Sequence, residues 1–416
     1  MNLVVIGAQW GDEGKGKIVD FLSSQANTIV RFSGGANAGH TIVHEGTTYK
    51  LHLVPSGIIY PGTTVVLGSG MVVDPEALFG ELEELETLGV SWQGRVLISD
   101  RAHLVLPSHR AEDVERDRAR RNPIGTTGRG IGIAYAHKAL RDGIRISDMD
   151  WEEQLAEHGN EDRRLISRYR EQLNDMAVDI AAYMHTGTTR DAESRVLLEG
   201  AQGALLDIDL GTYPYVSSGS SSAAGAASGS GLGPRELDHV LGVFKAYSTR
   251  VGNGPFPSEL DPEYEGDLET HIREIGREYG VTTGRARRVG YLDLVALRYA
   301  CQTNGIDSLA LTHLDVLDSV DEIRVCIAYE TERETLDYFP SSIPVLERAR
   351  PVTRRFPGWK QALGEVAGFE ELPQKARDYI AFIEEYVETP VSMVSVGYER
   401  RQTIVRTSPW ERRDAG

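Results

Sequence analysis

Two cysteines, Cys301 and Cys326, are all that the 416 residues contain. That excludes a disulfide framework and a cysteine metal cluster. No apolar run reaches the ~18–20 residues that a membrane span needs. The first residues run straight into a strand-like stretch, with no basic n-region and no small-residue cleavage site, so no leader is expected and the cytoplasm is the expected compartment. Positive charge is also short. Lys and Arg number 44 against 62 Asp and Glu, a net charge of −18, which argues against a nucleic-acid partner gripped by a broad basic surface. Lysine is scarcer still, at seven of those 44. Codon bias or a salt-adapted acidic surface accounts for this in bulk. Yet Lys15 and Lys17 share one loop and Lys245 lies in a second motif. A lysine kept where arginine otherwise serves points to a need for a compact point charge.

What is present is a regular alternation. Apolar, β-rich runs recur at Asn2–Ile6, Thr28–Phe32, Thr63–Leu67, Arg95–Ile98, Arg195–Leu198, Gly242–Tyr247, Ser308–Thr312 and Val391–Ser395. Helical patterns lie between them at Pro75–Leu88, Tyr291–Thr303 and Gln374–Glu388. The alternation predicts an α/β fold, a large mainly parallel central sheet with helices on both faces. A single catalytic domain over residues 1–416 is expected, with an inserted helical subdomain at about 149–189. The stretch Ser217–Gly233, SSGSSSAAGAASGSGLG, has the composition of a flexible linker. Its small residues equally suit close backbone approach to a ligand.

The chemistry sits at strand ends. After the first strand, Gly11-Asp-Glu-Gly-Lys-Gly-Lys17 has the G-x-x-x-x-G-K spacing of a phosphate loop, with amides and two ammonium groups ahead of a helix. The hydroxyl that usually follows, and that would hold a metal, is replaced by Ile18, and two acids, Asp12 and Glu13, lie inside the loop. Ser33-Gly-Gly-Ala-Asn-Ala-Gly-His-Thr41 places an acid candidate, His40, in a glycine-rich turn. Ile124-Gly-Thr-Thr-Gly-Arg-Gly-Ile-Gly132 offers hydroxyls, amides and Arg129 in a form suited to phosphate. Glu199-Gly-Ala-Gln-Gly203 ends another strand, and Val281-Thr-Thr-Gly-Arg-Ala-Arg-Arg288 is a cationic loop in an acidic protein. In Leu311-Thr-His-Leu-Asp315 the aspartate is placed either to accept N1–H and the 2-amino group of guanine or to cap a helix. Residue chemistry alone reaches a two-nucleotide phosphoryl-transfer site.

Together these motifs, with GTYPYV and KAYSTRVG-GPFP between them, resemble in order and content the adenylosuccinate synthetase family. Its members are GTP-dependent ligases that join IMP to L-aspartate through a 6-phosphoryl intermediate. The resemblance implies that Asp12 takes the N1 proton of IMP and, with the Gly39 carbonyl, ligates Mg²⁺. That would explain both the loop acid and the missing hydroxyl. His40 would donate to the transferring phosphoryl group, Lys15 would neutralise it, and Gln202 would complete the catalytic set. GTP would be held by Gly11, Asp12, Glu13, Gly14, Lys15, Gly16, Lys17, Gly39, His40, Thr41 and Arg287, its guanine by His313, Leu314, Asp315, Ser395, Val396 and Gly397. IMP would meet Asp12 to Lys15, Asn37, Ala38, Gly39, His40, Thr127, Gln202, Ser217 and Arg285. Val281, Thr282, Thr283, Gly284, Arg285, Ala286 and Arg287 would close over aspartate. Arg141 would reach the IMP phosphate of a neighbouring subunit, which implies a homodimer.

The sequence departs from the family at ligand-facing places. His313 stands for the usual lysine of TKLD, where a stack on the base is expected. Ser217 keeps the hydroxyl of a usual threonine, but Ser217-Ser-Gly-Ser-Ser221 lacks the family's asparagine. Gly68-Ser-Gly70 replaces GNG, Ile133 replaces a proline, and Tyr398 replaces the proline after Ser395-Val-Gly397. Two other functions compete. One is a sister ligase acting on dGMP, whose members usually lack the loop aspartate. The other is a non-catalytic guanine-nucleotide regulator, which has no use for the acid–base set.

Overall fold

The computed structural model describes residues 1–411 except 38, 45, 120–125, 187, 188, 190, 192, 281–283 and 285. The first apolar run forms strand β1, Asn2–Gly7, and the glycine-rich turn after it leads into helix α1, Lys15–Ser23. Leu3 to Ile6 are fully buried, the signature of a strand covered on both faces. Strand β2, Thr28–Gly34, is buried along its whole length. Among the described residues one large sheet has eleven strands, mainly parallel. This is the α/β fold that the alternation predicts.

By internal contacts the chain divides into two units. The first comprises Met1–Val4, Val19–Ala201 and Ser217–Asp238, the second Val5–Ile18, Gln202–Val216 and His239–Gly416. In the first, β2 lies between Val196–Gly203 and Thr64–Val73. Val96–Ser99 and the short strand Ala177–Val178 follow, every neighbour parallel. Helix α2, Pro75–Thr87, starts where Asp74 accepts the Ala77 amide at 3.2 Å and Pro75 fixes the first turn. Leu78, Leu82 and Leu85 form its buried face. The segment from about 149 to 189 contains the helices Glu152–Ala156, Asn160–Met176 and Ile180–Met184.

The stretch that reads as a linker is a helix, Ala223–Ser230, with six of its eight residues buried. The small residues of this helix allow close packing on the sheet. A Cβ on Gly229 would stand 2.1 Å from the Phe32 carbonyl oxygen, and one on Gly68 2.3 Å from the Gly229 carbonyl oxygen. The helix lies so close to the strands that only glycine fits. Ser69, at the departure from GNG, donates to the Ser228 and Gly229 carbonyls. That departure is therefore absorbed in helix–sheet packing.

In the second unit His239–Lys245 runs parallel to Ser308–Thr312, which runs parallel to Val391–Ser395, and Thr403–Val405 closes the edge antiparallel. A smaller antiparallel sheet, built mainly from Glu322–Glu330 and Arg350–Pro357, comes from the part of the sequence with the fewest motifs. A two-stranded ribbon pairs Ser248–Arg250 with Arg288–Gly290. It carries the end of the cationic loop. The helix expected from Tyr291 starts at Leu294, because Asp293 caps it by accepting the Ala296 amide at 3.0 Å. Both cysteines are buried and unbonded to each other.

Candidate active site

The phosphate-type loop of the second unit is held from beneath. Trp10 is 2% exposed and packs edge-on against Phe256 at 5.3 Å, inside a core with Leu205, Val295, Tyr329 and Phe339. Truncating such a buried tryptophan costs about 3–5 kcal/mol. Glu13 is fully buried; its Oε1 accepts the Gly11 amide at 2.8 Å and the Gln9 amide at 3.2 Å, and its Oε2 meets Lys15 Nζ at 2.5 Å. One of the two loop acids is thus a staple that shapes the turn. A Cβ on Gly203 would stand 2.3 Å from both Gln9 O and Glu13 Oε1, so the last glycine of EGAQG is required by contact with this loop. Gln9 also ties it to the KAY motif, donating to Tyr247 O at 3.0 Å and accepting from the Lys245 amide at 3.1 Å.

The other loop acid is presented outward. Asp12 has φ 58°, Gln202 φ 56° and His313 φ 57°, a left-handed conformation that non-glycine residues seldom adopt. Strain of this kind collects at functional sites. The Asp12 side chain is 39% exposed and its Oδ2 lies 2.8 Å from Arg287 Nε, an ion pair whose angle falls outside hydrogen-bond geometry. Arg287 follows the cationic loop directly and enters the ribbon strand at Arg288. Its NH1 donates to Glu278 Oε2 at 2.8 Å.

Glu278 is the residue that sequence reasoning missed. It is fully buried, and besides Arg287 it takes Lys245 Nζ at 2.6 Å and Tyr247 OH at 2.5 Å. Burial alone would raise its carboxyl. Lys245 and Arg287 overcome that and hold it at about 2. Lys245 also donates to Thr249 Oγ1 at 3.0 Å. The scarcity of lysine points to Lys245 as a needed point charge, and its partner is the buried Glu278 carboxylate. In the sequence Glu278 shows only as an acid three residues before the cationic loop.

The expected guanine residues lie in the same unit. Asp315 is half-buried in the turn Leu314–Leu317. Burial pushes its carboxyl up, with Lys17 nearby acting the other way. The His313 imidazole turns toward Tyr247, ring centroids 5.9 Å apart at 74°, with Nδ1 3.4 Å from the phenol oxygen. Its Nε2 would stand 3.3 Å from a Cβ on Gly14. The ring lies beside the Tyr247–Glu278 network. Burial, then Lys245, lowers its pKa to about 4. Lys17 Nζ reaches Ser395 Oγ, Gly397 O and Gln402 O. Thr312 Oγ1 donates to Glu13 O at 2.6 Å and joins loop to strand.

In the first unit the GGANAG turn is built by three side chains. Arg31, buried, donates to Gly35 O at 3.0 Å and to His52 O. The Gly34 amide donates to Tyr135 OH at 2.9 Å. Arg129 NH1 reaches Ala36 O at 2.5 Å, so the arginine that looked suited to phosphate braces this turn. A Cβ on Gly39 would stand 2.7 Å from His52 Cε1. Asn37 Oδ1 is buried with no hydrogen-bond partner among the described residues, an acceptor left for a ligand group. The helix Ile131–Leu140 begins at Gly130, φ 73°, and ends at Arg141, φ 71° and exposed. Thr127 is exposed before it and Ser217 is half-buried. Thr41 is exposed in the strand His40–His44. Ala38, Val281, Thr282, Thr283, Arg285 and the His40 side chain lie outside the described residues.

Comparison with known proteins agrees across nearly the whole chain. The family model for adenylosuccinate synthetase matches residues 4–404. The adenylosuccinate synthetase of Trichormus variabilis is 47% identical over 431 residues, covering 98% of this chain and 95% of that protein. The fully ligated adenylosuccinate synthetase of Plasmodium falciparum superposes with a TM-score of 0.90 at 38% identity, covering 97% of this chain and 99% of that one. The succinoaminodeoxyadenylate synthetase of cyanophage S-2L, solved with dGMP and dATP, shares the fold with a TM-score of 0.64 at 21% identity over 98% and 96% of the two chains. The chain belongs to the adenylosuccinate synthetase family, GTP-dependent ligases that join IMP to L-aspartate.

Proposed function

We propose that Asp12 is the general base of this ligase and that GTP phosphates are bound by the loop Gly11–Lys15 around it. The observation that carries the reading is the division of labour between the two loop acids. Glu13 is fully buried and committed to the loop, whereas Asp12 is partly exposed and answered by Arg287 alone among the described residues. A carboxylate so presented accepts a proton from the N1 position of IMP, and O6 becomes the nucleophile toward the γ-phosphorus of GTP. The resulting O6 phosphate is then the leaving group that the aspartate amine displaces at C6. Lys15 and Arg287 supply positive charge to the loop, where charge accumulates on the transferring group. His40 would give a proton or hydrogen bond to that group, and Gln202 would orient IMP. Asn37, Thr127 and Ser217 would contact the same nucleotide, the orphaned Asn37 Oδ1 supporting such a role. Gly284 to Arg287 would take part in binding the aspartate carboxylates.

The family resemblance implies Mg²⁺. Asp12 offers a hard, partly exposed oxygen donor. One such carboxylate suits a Mg²⁺ ion whose other positions phosphates and water would fill. Asp12 would hold it, and when bound it neutralises the phosphate oxygens.

We further propose a homodimer in which Arg141 serves the neighbouring subunit, and a cytoplasmic location. No helix among the described residues is long and apolar enough to cross a membrane. The deciding experiment is phosphate release from GTP with IMP or dGMP, each with and without L-aspartate. Release that needs both IMP and aspartate supports the reading. Release with dGMP in place of IMP moves the chain to the sister activity, and none with either base leaves only nucleotide binding.

A further inference from the structure

By its spacing Lys17 is the lysine that should reach the β- and γ-phosphates. Its surroundings give it another task. An ammonium has three N–H donors, and all three are engaged: Ser395 Oγ at 2.7 Å, the Gly397 carbonyl at 2.7 Å and the Gln402 carbonyl at 3.0 Å. To serve a phosphate it would have to break bonds made by a charged donor, which are about twice as strong as neutral ones.

The acceptors belong to one closed loop. Ser395 Oγ donates onward to Gly397 O at 3.0 Å, the Val396 amide donates to Gln402 O at 3.0 Å, and the Glu399 amide donates to Gln402 Oε1 at 3.0 Å. Gln402 Nε2 then anchors to Gly364 O at 3.0 Å. A Cβ on Gly397 would stand 2.3 Å from Gln402 Oε1, so the loop closes tightly around that glutamine. Lys17 sits in the first turn of α1, two residues after Lys15. Asp315 and Glu399 are the acids whose charge acts on its ammonium. Lys15 pairs with Glu13, inside the phosphate loop.

We propose that Lys17 is a positioning residue for base recognition, which clamps the loop Ser395–Gln402 to the phosphate-loop helix. This rests on the reading of Asp315 and Ser395–Gly397 as the guanine site. The clamp ties the wall that reads the base to the loop that holds the phosphates. Tyr398 stands where the family usually has proline, and three bonds from one ammonium hold this loop.

A clamp and a phosphate ligand differ in what their loss does to different nucleotides. In steady-state kinetics with GTP and ITP, which lacks the 2-amino group, Lys17→Met should lower the preference for GTP over ITP by about tenfold or more. The KM for ITP should change less than the KM for GTP. Lys17→Arg, which keeps the charge but alters the donor geometry, should recover part of the preference. Gln402→Ala opens the same loop without touching the lysine and should reduce the preference as well, which keeps the test sound if Lys17→Met does not fold. The Lys17→Met/Ser395→Ala double variant should lose no more than Lys17→Met alone. Equal losses for GTP and ITP in Lys17→Met, or an unchanged preference in Gln402→Ala, overturn the clamp while leaving the guanine site intact. A wild-type protein that takes ITP and ATP as well as GTP removes the guanine reading of Asp315, and the clamp with it.

Discussion

Arg287 Nε stands 2.8 Å from Asp12 Oδ2, while NH1 of the same guanidinium is fixed at 2.8 Å by the buried Glu278. The partly exposed acid of the phosphate loop is therefore connected, through one arginine, to a buried anchor. The acid proposed as general base and the arginine that answers it are set by the same structure.

Asp12→Asn tests the base most cleanly. Asparagine tolerates the left-handed conformation at φ 58° better than alanine, and it keeps the shape of the side chain. Turnover should fall by ~10²–10⁴-fold, the usual cost of losing a general base. The thermal midpoint should hold, because Glu13 and Trp10 hold the loop. A variant retaining more than about a tenth of wild-type kcat would contradict the role.

Glu278→Gln tests the anchor. Lys245 is 1% exposed and would lose its counter-charge. Breaking a buried pair from one side costs about 3–5 kcal/mol. The urea midpoint should drop accordingly, and kcat should fall with it as Arg287 loses its support. Replacing Lys245 by methionine in the same chain should recover a good part of the stability without restoring kcat. If the double variant is no more stable than Glu278→Gln alone, the two charges are not compensating one another.

The contrast between Asp12 and Glu278 shows what the sequence makes legible. β1, the loop and α1 follow from a local apolar run, glycine spacing and cations within twenty residues, and the parallel strands announce themselves in the same way. Glu278 gathers Lys245 and Tyr247 from more than thirty residues away, and no local pattern marks it. Gly229, Gly68 and Gly70 are small because a helix backbone meets strand backbones, yet composition alone makes them look like a linker. The strand Glu322–Glu330 mixes buried and half-exposed positions, so it lacks the apolar run that betrays a central strand. The motif marks His313 for its chemistry, but its ring faces Tyr247, a contact that the motif does not contain.

Arg141 tests the shared site. It ends the helix Ile131–Leu140 in an exposed position, and Leu140 before it is 65% exposed. Arg141→Asn, which suits φ 71°, should raise the KM for IMP by ~10-fold or more, the value of a charge-assisted contact to phosphate, while the KM for GTP stays constant. Mixed with Asp12→Asn protein after subunit exchange, it should regain activity, since a hybrid dimer has one site with both residues intact. Lack of recovery after verified exchange would show that Arg141 serves its own subunit or none.

Asp315 tests base choice directly. An ionised carboxylate accepts two hydrogens from guanine that adenine does not offer. Asp315→Asn should bring GTP and ATP closer together by at least ~100-fold, within the range that a buried recognition pair supplies. His313→Lys, at a position that faces Tyr247, should leave GTP preferred. Competition kinetics with GTP, ITP and ATP on both variants distinguishes the two residues.

His313 also makes a prediction about pH. Burial, with Lys245, Arg287 and Lys17 close by, lowers its pKa from 6.5 to about 4 in the folded protein, Glu278 opposing. A base whose folded pKa is depressed binds its proton more readily when unfolded. Its contribution to stability is therefore complete above pH 6.5 and is lost as pH falls toward 4. The shift corresponds to at most about 3 kcal/mol. His313→Asn tolerates φ 57° and removes the titration. The stability of wild type relative to this variant, from urea midpoints, should decline by on the order of 2 kcal/mol between pH 7 and pH 4.5. Above pH 7 the difference should be flat. A difference that grows on acidification would mean that the imidazole is protonated in the fold and paired with Glu278, which would reverse the electrostatics assigned to this side of the site.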